Sequence, residues 1–171
     1  TPRDGSSAAS DVYKRQVERL AREIYPEAEL RFIKPFYKNE KYIKAISKGV
    51  RKYLSQHNFD KLIFSYHGIP KRQAKKTDIT GAHCFENNDC CEVESLGSND
   101  CYKAHTVQSS ILIAKELGLK SSEWEIAYQS RIGPGWLTPF TDKRLERLPT
   151  EGAKSIGCLL YTSPSPRDNG R

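Results

Sequence analysis

The chain has 171 residues, 37% of them apolar, with 28 Lys and Arg against 21 Asp and Glu for a formal net charge of +7. That is enough for one ordinary domain or two small ones, and it lies outside the composition of a disordered or fibrous protein. No run of 18 apolar residues exists, which excludes a membrane-spanning helix, and no charged-then-apolar leader opens the chain, so a cytoplasmic location is expected.

The first and last segments stand apart. Residues 6–16 read SSAASDVYKRQ and residues 158–168 read CLLYTSPSPRD. Both resemble in-frame translations of the transposase adapters used to build sequencing libraries. Residues 1–16 and 158–171 are therefore read as non-native tails, and 17–157 as the native span. The tails are expected to make few contacts, except where Leu159 and Leu160 continue a last strand. Setting them aside removes five cations (Arg3, Lys14, Arg15, Arg167, Arg171) and three anions (Asp4, Asp11, Asp168), so the charge falls to +5. Cys158 goes with them, leaving four cysteines of five.

Within that span, residues 30–33 form a short apolar run expected to be a strand end. Asn39 is a good helix N-cap, and Ile43, Ile46, Val50 and Leu54 follow at helical spacing. The lysines between them form a solvated face; no aromatic residue interleaves them on the polar side, and a charge of +5 argues against a nucleic-acid partner. Residues 61–66 (KLIFSY) read as a buried parallel strand, ended by Gly68 and Pro70. A polar stretch with glycine and cysteine runs to about residue 100. Ala104, Val107, Ile111, Ala114 and Leu117 then share a helical face, with Gly118 at the C-terminal cap. Residues 124–128 read as a strand and 131–140 as a Gly/Pro loop. Thr141 is expected to cap a third helix with Leu145 and Leu148 turned inward, and residues 153–156 to begin a last strand. This alternation predicts an α/β fold: a Rossmann-like parallel sheet with flanking helices and right-handed crossovers. Ligands of such sheets bind beyond the carboxyl ends of the strands.

Two candidate segments lie at such ends. His67 follows the first strand and precedes Gly68, and an imidazole there can accept a proton or bind a metal near neutral pH. Gln129, Ser130 and Arg131 end the next strand, and Trp136 follows; Arg and Ser suit a carboxylate, and an indole suits a flat ring. The alternative for each is structural: a satisfied histidine and an ordinary loop over a core tryptophan. Cys84, Cys90, Cys91 and Cys101 have the spacing C-x5-C-C-x9-C. Four thiols suit one tetrathiolate site, and the adjacency of Cys90 and Cys91 is easier on two irons of a [2Fe–2S] cluster than on one zinc. Two disulfides are the further alternative. His83 and His105 flank the set and could replace a thiolate.

The strings FSYHGIP (64–70), TD (77–78), YQSRIGP (128–134) and WLTPFTD (136–142) resemble the ferrochelatase family. The cysteine segment, residues 79–101, is similar to an insertion found in one bacterial subgroup of that family. The resemblance implies a chelatase-like fold, present here as an incomplete internal piece. It implies insertion of ferrous iron, as substrate, into a porphyrin (protoporphyrin IX or coproporphyrin) for haem synthesis. It further implies His67 as the active-site histidine, accepting pyrrole protons or binding the incoming iron. Tyr66, Tyr102, Gln129, Ser130, Arg131 and Trp136 would bind porphyrin, and the four cysteines would hold a [2Fe–2S] cluster. Peripheral membrane association would be a property of the whole enzyme. Gly135 stands where the family carries proline before the tryptophan. The family's acidic E-T-L-x-E-like stretch is expected to follow Gly157, so the chain as given is expected to be inactive. The alternative function is a non-enzymatic iron–sulfur or zinc-binding module.

Overall fold

The computed structural model describes residues 8–161, and side chains between residues 16 and 160. Its centre is the strand β1, Lys61–His67, buried at every position from Leu62 to Tyr66. Continuous burial rather than alternation is what a central parallel strand requires, because helices cover both faces. β1 is flanked by β2 (Trp124–Gln129) and β3 (Ile156–Tyr161), both parallel to it, in the order β2-β1-β3. The register pairs Tyr66 with Tyr128 and His67 with Gln129, so these two strands end level.

Side-chain alternation along β1 divides the molecule into two layers. Leu62, Phe64 and Tyr66 join Ile43, Val50, Ala104, Ile113 and Ala114 in the larger core. That core is covered by α2 (Glu40–Leu54) and α4 (Tyr102–Leu117), which pack on each other. Ile63 meets Ala127 and Leu148 on the opposite face, under α5 (Thr141–Arg147). α1 (Ala8–Ile24) precedes these elements, and the short α3 (Lys71–Lys75) follows β1.

α2 begins as expected: the Asn39 side chain accepts from the N–H groups of Lys41 (3.0 Å) and Tyr42 (3.2 Å). Gly118 ends α4 at φ +73°, the left-handed turn that glycine adopts without strain. Elsewhere the local expectations give way. No strand forms at residues 30–33, and Ile33 is 89% exposed; a strand needs a neighbour, and the sheet described here has three strands, none of them beside this segment. The buried face of α4 keeps Ala104 and Ala114 as expected but is otherwise largely polar. Ile111 is turned out while Thr106, Gln108, Ser109 and Ser110 are buried, because Ser110 and Thr106 serve the hydroxyls of Tyr66 (2.8 Å) and Tyr128 (2.9 Å). Thr141 does not cap α5. Phe140 holds that position, and the buried Thr141 hydroxyl meets Ser65 Oγ at 2.8 Å. Leu148 is buried, but Leu145 is 40% exposed. α3 was not expected.

Both tail boundaries fall inside elements. α1 runs through residue 16, and β3 runs from Ile156 past Gly157 to Tyr161. Residues 158–161 thus pair with β1 from Ile63 to Tyr66, the strand continuation expected at Leu159 and Leu160. A parallel ladder uses backbone groups and accepts any non-proline sequence. The side chains show the difference: Leu159 packs on the core, while Cys158 and Leu160 are exposed. Residues 1–7 and 162–171 of the two tails lie outside the described residues.

Candidate functional site

At the carboxyl end of β1, the last buried residue is Tyr66 and the next, His67, is exposed. The chain then turns through Gly68. Its N–H donates to the Gln129 carbonyl at 2.7 Å, and a Cβ there would stand 2.6 Å from that same oxygen. Only glycine fits so close an approach. The Trp136 ring lies 3.4 Å from that point. Pro70 bridges Trp136 in antiparallel fashion, and Leu137 N–H donates to the Ile69 carbonyl at 2.9 Å. The loops after β1 and β2 are therefore stitched together, and they carry His67, Gln129 and Trp136 to one edge of the sheet.

Beside them, Gln129 Nε2 is buried without a hydrogen-bond partner. Ser130 follows at φ +63°, a left-handed conformation that L-residues seldom adopt. Arg131 is exposed and ion-paired with Asp142 at 3.0 Å, its guanidinium 4.4 Å from the centre of the Phe140 ring. A hollow of about 240 Å³ is lined by Arg131, Ile132, Gly133, Pro134 and Phe140, and His67 lies outside that lining. It falls below the ~300–1,000 Å³ usual for drug-sized ligands. Tyr102, at the start of α4, donates its hydroxyl to the His67 carbonyl at 2.9 Å, and burial pushes its phenol up to about 12. Tyr66 is the exception among the expected porphyrin residues. It is 6% exposed, on the α4 side of the sheet, with its hydroxyl on Ser110; strand alternation sends it into the core when His67 points out.

The four cysteines come together. Cys84, Cys90, Cys91 and Cys101 are each buried and free of disulfides. Cys91 Sγ lies 3.7 Å from Cys90 Sγ. The interaction of the Cys91 and Cys101 thiols lowers the pKa of Cys101 and raises that of Cys91, and the first N–H groups of α4 favour the Cys101 thiolate further. Burial, then the neighbouring thiols, push Cys84 up to about 12. Among the described residues, no group of three or more His, Cys, Asp or Glu side chains is arranged to hold a metal ion. The donor set itself, four buried free thiols in one segment, fits the soft, all-sulfur chemistry of an iron–sulfur cluster.

Three side chains fix this segment, and the sequence reading missed all of them in that role. Asp78 Oδ1 accepts from Thr80 N–H (2.9 Å) and hydroxyl (2.6 Å); Oδ2 accepts from the N–H groups of His83 and Cys84, each at 2.8 Å. Burial alone would raise this carboxyl, but the Thr80 hydroxyl and the three N–H groups hold it well below the usual range. Its sequence signal is Asp followed by Thr two residues on, a local turn motif. His83 Nε2 meets the Cys90 carbonyl at 2.7 Å, and Gln108 Nε2 donates to the Cys91 carbonyl at 3.2 Å. His105 Nε2 meets the Asn99 carbonyl at 2.7 Å, and its ring stacks on Tyr37 at 3.9 Å. Both histidines thus hold main chain through Nε2 rather than replacing a thiolate.

A parallel α/β layer whose central strand presents a histidine at its carboxyl end, with an indole from the neighbouring loop packed beside the following glycine, is the chelatase-like architecture. The chain belongs to the ferrochelatase family, whose model matches residues 3–161. It is 35% identical over 157 residues to the ferrochelatase of Pseudomonas fluorescens strain Pf0-1, which covers 91% of this chain and 46% of that protein. The ferrochelatase of Stutzerimonas stutzeri is 33% identical over the same shares, 91% and 46%. That of Azotobacter vinelandii is 36% identical over 132 residues, 75% of this chain and 38% of that protein. The chain thus spans about half the length of the curated relatives it matches.

Proposed function

We propose that this chain carries one wall of a site that inserts ferrous iron into a porphyrin, protoporphyrin IX or coproporphyrin, in haem synthesis, with His67 as its reactive group. The observation that carries the reading is the exposed imidazole at the end of β1, beside a half-buried indole and the unpartnered Gln129 Nε2. Metal insertion releases two pyrrole protons, and an exposed imidazole can accept a proton or hold the metal on its way in. Trp136 offers a face to a flat macrocycle. Gln129 and Ser130 offer donors to its polar edge, while Arg131 reaches a carboxylate only by leaving Asp142. Porphyrin and ferrous iron are then the partners, and the four buried free cysteines suit the reducing cytoplasm.

The test is anaerobic iron insertion into protoporphyrin by an enzyme containing this span. His67→Ala is expected to reduce turnover by at least ~100-fold, the scale of a lost general acid–base group. Unchanged turnover would remove His67 from the chemistry. The chain alone, which presents a shallow surface around His67, is expected to give no turnover.

Cys84, Cys90, Cys91 and Cys101 would hold a [2Fe–2S] cluster. Such a cluster would supply a four-point cross-link and a one-electron couple. Asp78, His83 and Gln108 would keep the ligand-bearing backbone in place. Reconstitution with iron and sulfide is expected to give broad visible absorption that Cys→Ser at any of the four removes. Colourless protein retaining zinc would instead favour the non-enzymatic module.

A further inference from the structure

Arg131 is the only Lys or Arg between residues 130 and 140, and its guanidinium is already engaged twice. It lies 4.4 Å from the centre of the Phe140 ring, and it donates to Asp142 Oδ2 at 3.0 Å. The two contacts differ in permanence. Phe140 bridges Tyr128 of β2, whose N–H donates to the Pro139 carbonyl at 2.8 Å, and the next hydroxyl, that of Thr141, is buried against Ser65. The ring is therefore a fixed platform, whose negative face holds a cation above it. The contact with Asp142 joins two exposed side chains, 41% and 53% accessible, through one N–H of the guanidinium. Exposed pairs of that kind contribute little. A guanidinium has five N–H donors and binds a carboxylate best through two of them at once.

The same guanidinium and ring line the hollow of about 240 Å³, together with Ile132, Gly133 and Pro134. That space is too small for a macrocycle. It suits a short side arm, whose methylenes would meet the apolar wall while a terminal carboxylate met Arg131. We propose that the hollow is the socket for one carboxylate-bearing arm of the flat substrate, and that Asp142 is an internal stand-in, holding Arg131 until the substrate carboxylate displaces it. The inference rests on reading a porphyrin as the substrate. A carboxylate that takes two N–H groups outcompetes Asp142, which takes one. An uncharged arm does not, and it leaves the pair closed. Arg131 stays over Phe140 in both states, so the exchange needs no movement of the backbone.

The test uses the 171-residue chain with its arginines labelled with nitrogen-15. Hydrocinnamate, an aromatic ring bearing a propionate arm, is the probe, and its amide is the uncharged control. The Arg131 Nε–Hε signal, assigned through Arg131→Lys, is followed by NMR at neutral pH and low salt. Hydrocinnamate is expected to move that signal to saturation and to leave the other arginine signals in place, and the amide is expected to move none. Asp142→Asn keeps the shape of the side chain and removes its charge. In that variant hydrocinnamate is expected to bind about 2–5-fold more tightly, the range set by losing one exposed ion pair as a competitor. An equal response to acid and amide, or no response to either, overturns the socket in the unsubstituted chain, whether or not the variant folds. A uniform shift of all arginine signals marks general anion binding and overturns it equally. Unchanged or weaker binding in folded Asp142→Asn overturns the role of Asp142. None of these readings uses iron or porphyrin turnover, so the role of His67 stands or falls separately in the insertion assay.

Discussion

Ser130 shows how much of this site is decided by one backbone angle. At φ +63° it is held where an L-residue costs about 1–2 kcal/mol, between a strand that ends at Gln129 and a loop stitched to Gly68 and Pro70. Ser130→Gly is expected to be neutral or to stabilise by up to about 1 kcal/mol, because glycine adopts that angle freely. Ser130→Val is expected to lose about 1–2 kcal/mol, since a branched Cβ worsens the same clash. Urea denaturation of the two variants measures both. Equal stability of the valine and glycine variants would show that the angle is not a constraint. Gly68 is constrained differently, by the Gln129 carbonyl in the space where a side chain would begin.

α4 is chemically unusual for a helix packed on a sheet, and its sequence conceals why. Its buried face carries Thr106, Gln108, Ser109 and Ser110, each bonded to something outside the helix: the Tyr128 hydroxyl, the Cys91 carbonyl, the Tyr37 carbonyl and the Tyr66 hydroxyl. These contacts tie the sheet, the cysteine segment and the chain before α2 to one helix. Tyr66→Phe leaves the Ser110 hydroxyl buried without that partner and is expected to cost about 1–3 kcal/mol. It should leave porphyrin affinity unchanged, because the ring faces the core. A loss of affinity at unchanged stability would return Tyr66 to the site. No helix among the described residues is long and apolar enough to cross a membrane.

Acid sensitivity of the whole fold is expected to begin at His105. Burial lowers its pKa below the ordinary 6.5, against the Asn99 carbonyl that raises it, while Lys38 adds to the lowering. The unfolded chain therefore takes up a proton before the folded one does. The associated stability is present above about pH 6.5 and is lost as pH falls through the depressed folded value. Asp60 and Glu151, whose carboxyls are lowered from ordinary values of 3.8 and 4.5, lose their contributions only further into acid. Thermal unfolding is expected to show a lower midpoint at pH 5.5 than at pH 7.5, and His105→Gln to flatten that difference. An unaltered slope in the variant would move the acid-sensitive group elsewhere.

Much of this architecture is legible in local pattern. The continuous apolar run at 61–66 predicts a central strand, Asn39 and Gly118 mark their helix ends, and the alternation of elements predicts a parallel layer; each depends on residues close in the chain. His67 and Trp136 are legible as strand-end candidates, and the cysteines as one group by their spacing. What stays hidden depends on partners far apart in sequence. Which face of α4 is buried turns on hydroxyls 22 and 44 residues away. That Tyr66 points inward beside an outward His67 follows only once the sheet is flanked on both sides. Asp78 looks like an ordinary acid until four donors close around it. The amino-acid order by itself determined the central strand, the ends of α2 and α4 and the candidate residues at the strand ends, since these follow from side-chain type and short-range periodicity. Tertiary packing alone decided which of those residues share a site, because a hydrogen bond or a buried face exists only after distant segments have met.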